Sequence, residues 1–319
     1  MKPQTLAPRS RPTPELRRYA TAVLAREVLR DVAGLLHARG IAVMPLKGVL
    51  FQMLLYSADP AARVLTDIDV LVPPRQFEDA ILALREAGFQ PRSAGRSLIE
   101  VALQSPRGMT LDLHRRLFSV GRYKLSTHDL FQRSSLDERL LGVPLQLAHP
   151  HDTAAHLIGK FVSDHEFQSA LFQQTASREL SSQDSRARLQ ELLAWCEYCQ
   201  IQPRRLAQHL RSTGLARAAR YVFGRGHELT GDPFFARALQ ALPRDRFGHV
   251  WERSARILIP ELSQTALASI PAHLLDSSVA RGGASLLLSV VQRCRHAWLA
   301  RQRGTRGGYW SPFFAEQNS

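Results

Sequence analysis

Cysteine is scarce in this chain: Cys196, Cys199 and Cys294 are the three among 319 residues. Three thiols cannot build a disulfide framework, so a reducing compartment, the cytoplasm, is expected. Long apolar runs are missing too. No window approaches the ~18 uncharged apolar residues of a membrane span. The nearest, Ala284 to Val291, is soon followed by Arg293 and Arg295. The basic start of the chain is followed by no apolar stretch, so no secretory signal is expected there. Lysine is rare, at positions 2, 47, 124 and 160 only, and acidic residues are the minority, 28 against 42 Lys plus Arg. The resulting formal charge of +14 favours a phosphate-bearing partner, whether nucleotide, nucleic acid or anionic membrane, without choosing among them. A codon bias toward arginine would produce the same excess. What is present is ordinary globular composition, 45% apolar and 22% charged, which excludes a mainly disordered chain.

The length suits about two domains of ~150 residues. Residues 1–13, rich in Pro and Arg, read as a flexible leader. From Pro14 to Arg39 apolar residues recur at three- and four-residue spacing (Leu24, Val28, Leu29, Val32, Leu35, Leu36), which predicts a helix stopped by Gly40. Ile41 to Leu46 reads as a strand that Pro45 confines to an edge or terminus. Val49 to Tyr56 reads as a helix opened by Lys47-Gly48. Val64 to Val72 is a strand, ended by Pro73-Pro74, after which Phe77, Ala80, Ile81 and Leu84 mark a helix closed by Gly88. Leu98 to Leu103 and Met109 to Leu113, separated by Ser105-Pro106-Arg107-Gly108, predict a hairpin. Leu140 to Leu147 adds one more expected strand. Beyond His149 only helical patterns follow: 152–162, 188–199, 203–210, 215–223, 234–242 and 286–299. The expected fold class is α+β: a mixed sheet with helices over 14–148, an all-helical region over 149–300, and a loose basic tail over 301–319.

The chemistry-bearing signal is Asp67-Ile68-Asp69. In a strand both carboxylates point to one face, opposite Ile68, Val70 and Val72. Two like charges so placed repel unless a cation sits between them. Mg²⁺ is the natural occupant, being hard, oxygen-seeking and a partner of phosphates. The ordinary alternative is two solvated aspartates at a strand end. Asp112, flanked by Leu111 and Leu113, would join the pair if its strand lay beside the first. Three such carboxylates can hold two Mg²⁺ ions, one carrying a triphosphate and one activating an attacking hydroxyl.

Leu46-Lys47-Gly48, Tyr56, Asp59-Pro60, Arg63, Thr66 to Val72 and Leu111-Asp112-Leu113-His114 together resemble the uncharacterised bacterial nucleotidyltransferases of the polymerase-beta superfamily. The resemblance covers the first half well and the helical half diffusely. It implies a polymerase-beta-like fold and transfer of a nucleoside monophosphate from an NTP, with ATP the expected one, to an acceptor hydroxyl. It implies that Asp67 and Asp69 bind both metals, while Asp112 completes the second site and helps deprotonate the acceptor. Lys47-Gly48 stands where the superfamily usually has a Gly-Gly or Gly-Ser turn around phosphates. There Lys47 would act as a point charge on the triphosphate and Gly48 would allow close approach. Arg63 is a further candidate phosphate contact. Thr66 belongs to the nucleotide-binding set, or simply begins the strand.

Other residues carry weaker signals. His114 shares a face with Asp112 and would orient it or touch substrate, or else be a structural histidine. His149, His151, His156 and His165 lack zinc spacing. Asp152 reads as a helix N-cap, and Cys196-Glu197-Tyr198-Cys199 is a lone CxxC in a helical pattern. The acceptor stays open: RNA or tRNA, a protein, a peptide or a small metabolite. The competing reading is a non-catalytic nucleotide- or RNA-binding module, antitoxin-like or a scaffold. Phosphate-ester hydrolysis ranks last, for want of a His/Asp-rich ligand set.

Overall fold

The computed structural model describes residues 12–96, 99–118, 122–164 and 178–243. The helix expected over 286–299, the tail over 301–319, nearly all of the leader, His165 and Cys294 lie outside them. Helix α1 (Pro14–His37) starts where Thr13 accepts the Leu16 N–H (3.2 Å), with Pro14 at its first position. It buries Ala25, Val28, Leu29, Val32 and Leu36, and Gly40 at φ +70° turns the chain out of it. Strand β1 (Met44–Pro45) and helix α2 (Lys47–Leu54) follow. A 3₁₀ turn, Pro60–Ala62, has its first amide capped by Asp59. Then come β2 (Asp67–Leu71), a second 3₁₀ turn and α3 (Phe77–Glu86). The remaining strands of the sheet are β3 (Gln90–Arg96), β4 (Glu100–Gln104) and β5 (Thr110–His114).

The five strands form one mixed sheet in the order β1-β2-β5-β4-β3. β1 lies at an edge, where a proline removes no ladder bond. β2 runs parallel to β5, while β4 pairs antiparallel with β5 and β3. Strand β3 carries no apolar alternation and was not expected; its Gln90 and Pro91 pair with Gln104 and Leu103 at the outer edge. Helix α4 (Thr127–Arg133) and the two-stranded ribbon β6 (Ser135–Asp137) with β7 (Leu145–Leu147) were likewise not read as such. Of the strand expected over 140–147 only the last three residues form, because Gly142 at φ +70° holds a turn before them.

Alternation divides the sheet's two faces. Ile68, Val70, Val72, Val101, Leu103, Leu111 and Leu113 join a core with α1 and α3. The opposite positions of β2, β4 and β5 include Asp67, Asp69, Glu100, Asp112 and His114. Above that second face stand α5 (Pro150–Asp164), α6 (Arg178–Tyr198), α7 (Pro203–Ser212), α8 (Ala216–Thr230) and α9 (Pro233–Ala241). A second core runs through Met44, Leu50, Phe51 and Leu71 into Ile158, Trp195, Leu206, Phe223 and Phe235, without a break near residue 148. The Phe51 and Trp195 rings stand 5.1 Å apart within it.

Asp152 corrects an expectation. It is the third residue of α5 rather than its cap, fully buried. It receives Arg133 through two bonds of 2.9 and 3.0 Å and His209 at 2.8 Å. Among the described residues no helix is long and apolar enough to cross a membrane.

Candidate active site

The site begins with the pairing of β2 and β5. Their parallel register sets Asp69 opposite Asp112, a spacing of about 4.8 Å between neighbouring strands, with Asp67 two positions away on the same face. Two carboxylates this close cannot both ionise freely. Burial raises Asp112, and the charges of Asp69 and Asp67 raise it further, to about 6. Asp69, only 5% exposed, goes the other way. Burial would raise it, but the His114 hydrogen bond and the Lys47 charge outweigh burial and hold it well below the usual carboxylate range.

Both oxygens of Asp69 are engaged. His114 Nε2 lies 2.9 Å from Oδ1, and Lys47 Nζ lies 3.5 Å from Oδ2. The other ring nitrogen of His114 meets Glu100 Oε2 at 3.1 Å, so two strands hold the imidazole. Glu100 escaped the sequence reading, although the β4–β5 register sets it opposite His114. Lys47 owes its place to the backbone. Beyond the β1–β2 ladder the Leu46 N–H donates to the Asp69 carbonyl at 2.9 Å, so the next residue starts α2 beside Asp69. No side chain caps that helix start.

A cavity of about 560 Å³ opens beside these groups, lined by Lys47, Gly48, Arg63, Thr66, Asp67 and Asp69 on the sheet side. Its far wall, from α5 and α6, includes Lys160, Phe161, Arg188 and Glu191. The volume lies in the range of small-ligand sites. Asp112 is not among the lining residues; it stands behind Asp69 on the next strand. Thr66 donates its hydroxyl to Asp67 Oδ1 at 3.2 Å, so it orients a carboxylate. Arg63, a candidate phosphate contact, is paired with Glu191 of α6 at 2.5 and 3.3 Å. Its guanidinium covers Gly48, where a Cβ would come within 3.3 Å of Nη1. His156 of α5 is buried, its ring edge-on to Phe118. Burial, then Lys47 and Lys160, push it well below its ordinary value and keep it neutral.

Glu191, Lys160 and His156 had no sequence signal beyond helical spacing. Cys196 and Cys199 are free thiols; burial pushes Cys196 up strongly and Cys199 to about 11, which leaves neither a reactive thiolate. Among the described residues no three His, Cys, Asp or Glu side chains stand close enough to hold a metal ion.

Asp67 and Asp69 share one cavity beside the mixed sheet with the cationic side chains of Lys47, Arg63, Lys160 and Arg188. Residues 15–229 match the model of the family described as "Uncharacterised nucleotidyltransferase", and the chain belongs to that family. It is thus placed among transferases that use nucleoside triphosphates. None of the curated proteins matches the chain. Among solved structures it is similar to an antigenic nucleotidyltransferase-like protein from Paracoccidioides brasiliensis, at 12% identity and TM-score 0.38 over 69% of this chain and 94% of that one. It is also similar to MenT4, a nucleotidyltransferase toxin from Mycobacterium tuberculosis H37Rv, at 12% identity and TM-score 0.34 over 80% of this chain and 100% of that one. A third is the Thermotoga maritima CCA-adding enzyme complexed with tRNA, at 13% identity, TM-score 0.25 and 85% of both chains. At such low TM-scores these likenesses carry no weight beside the family match.

Proposed function

We propose that the protein transfers a nucleoside monophosphate from an NTP, ATP being the first to try, to an acceptor hydroxyl. The acceptor oxygen bonds to the α-phosphorus as the bond to pyrophosphate breaks. The observation that carries this is the in-register pair Asp69 and Asp112, with Asp67 on the same face, beside a cavity that Lys47 lines. The chemistry of the donor set, three carboxylates on one face that offer only oxygen, suits a hard divalent cation. They would have to draw together around it, since as they stand no three of the described side chains are close enough to hold one. Asp67, Asp69 and Asp112 would hold Mg²⁺, two ions in the full site. Bound there, Mg²⁺ supplies charge neutralisation for the phosphates and acidifies the acceptor hydroxyl.

The chain's own groups divide the remaining work. Lys47 and the uncapped start of α2 take the triphosphate charge. Arg63 joins them if its pairing with Glu191 yields. Thr66 orients Asp67. His114, fixed by Glu100, orients Asp69. Asp112, with its proton affinity raised toward neutrality, takes the proton from the acceptor hydroxyl.

The test is incubation of the full chain with each labelled NTP, Mg²⁺ and a cell extract, followed by mass spectrometry for nucleotide-sized additions. Asp67→Ala with Asp69→Ala is expected to reduce transfer by at least about a hundredfold. Undiminished transfer by that variant would overturn the mechanism. Nucleotide binding with no transfer to any acceptor would instead favour a non-catalytic binding module.

A further inference from the structure

Asp69 is a deeply buried carboxylate, and such a group needs its charge balanced where it sits. One oxygen is committed to His114, which Glu100 fixes from behind. The second oxygen is balanced by Lys47 at 3.5 Å. Arg63, which lines the same cavity, is committed to Glu191. The backbone bond from Leu46 to Asp69 anchors the start of α2, yet the lysine's four-carbon arm is a quarter exposed at the cavity wall. The ammonium can therefore leave while its backbone stays.

We infer that Lys47 guards the divalent-metal position: without nucleotide its ammonium balances the Asp69 oxygen that a metal would take. The inference rests on the nucleotidyl-transfer reading. A divalent cation entering alone meets a positive charge already seated against its ligand, and the two repel at short range. A triphosphate reverses the balance. It offers the ammonium a larger negative charge a short swing away, and the vacated oxygen then favours the divalent ion. Metal and nucleotide thus load together, and one lysine serves as both counter-ion and phosphate contact. A small residue at position 47 could do neither.

The experiment titrates Mn²⁺ alone into the full chain, followed by loss of the free-ion paramagnetic resonance signal. Separately, α,β-methylene-ATP is titrated by calorimetry in the absence of divalent metal. Lys47→Met is expected to bind Mn²⁺ about tenfold more tightly than wild type and the nucleotide about tenfold more weakly. Lys47→Arg, which keeps the charge, should bind Mn²⁺ as weakly as wild type; circular dichroism checks that each variant folds. Equal Mn²⁺ affinity in wild type and Lys47→Met, with Asp69→Asn still abolishing binding, overturns the inference and leaves the transferase reading standing. Mn²⁺ binding that survives Asp67→Asn and Asp69→Asn in every background overturns that reading itself.

Discussion

At the scale of single residues, Asp69 and Asp112 carry the same group into opposite electrostatic settings. Asp69 has a histidine and a lysine against it, whereas Asp112 has burial and two neighbouring negative charges. A carboxyl raised on folding to about 6 contributes stability that is fully present below its unfolded value and is lost as pH rises through 6. In chelator, Asp112→Asn should therefore be more stable than wild type at pH 7.5, by on the order of 1 kcal/mol. The gain should vanish near pH 4, and thermal unfolding at both pH values checks it. Gly48 makes a different case. An added methyl would press on Arg63, the movable end of a long side chain, while replacing glycine inside a helix gains roughly 0.5–1 kcal/mol. Gly48→Ala is expected to melt at or above the wild-type temperature and yet bind NTP more weakly, as calorimetry would show.

At the scale of elements, the helices and the hairpin were legible because their signals are local. Apolar spacing marked α1, α3 and α7, and turn residues marked the β4–β5 hairpin. Strand β3 was illegible because Gln90 to Arg96 has no alternation; only the open edge of β4 makes it a strand. Asp152 was misread for a related reason. An acidic residue near a helix start looks like a cap, and nothing local announces that Arg133 and His209 converge on it. That contact ties α4, α5 and α7 together. Asp152→Ala should cost about 1–3 kcal/mol in urea unfolding, since it removes the buried acceptor of the hydrogen bonds from Arg133 and His209. The Asp152 carboxyl is held below its ordinary value: burial opposes this, but His209 and Arg133 prevail. Its contribution is therefore present above the unfolded value and lost as pH falls through the folded one.

At the scale of the whole molecule, one core passes from the sheet into the helices, and Arg63 reaches Glu191 across 128 positions of chain. Shared burial of this kind couples unfolding of the two parts. Hydrogen exchange at β5 and at α8 is expected to report one common urea midpoint; two well-separated midpoints would show that the parts unfold independently. The same packing makes the cavity, because Asp67 and Asp69 come to it from the sheet and much of its far wall comes from α5 and α6.

The sequence by itself determined that Asp67 and Asp69 share a face, that Asp112 lies in a hairpin strand, and that helices alone follow residue 149 among those described. Periodicity and turn chemistry act over a few residues, so a reader of the chain can follow them. Only the tertiary structure decided that β2 and β5 lie side by side and parallel, which sets Asp112 opposite Asp69. It also decided which cation answers which acid: Lys47 for Asp69, Arg63 for Glu191, His114 between Asp69 and Glu100. Those choices follow from distance and burial between segments far apart in the chain, and charge pairing over such separations leaves no periodic trace.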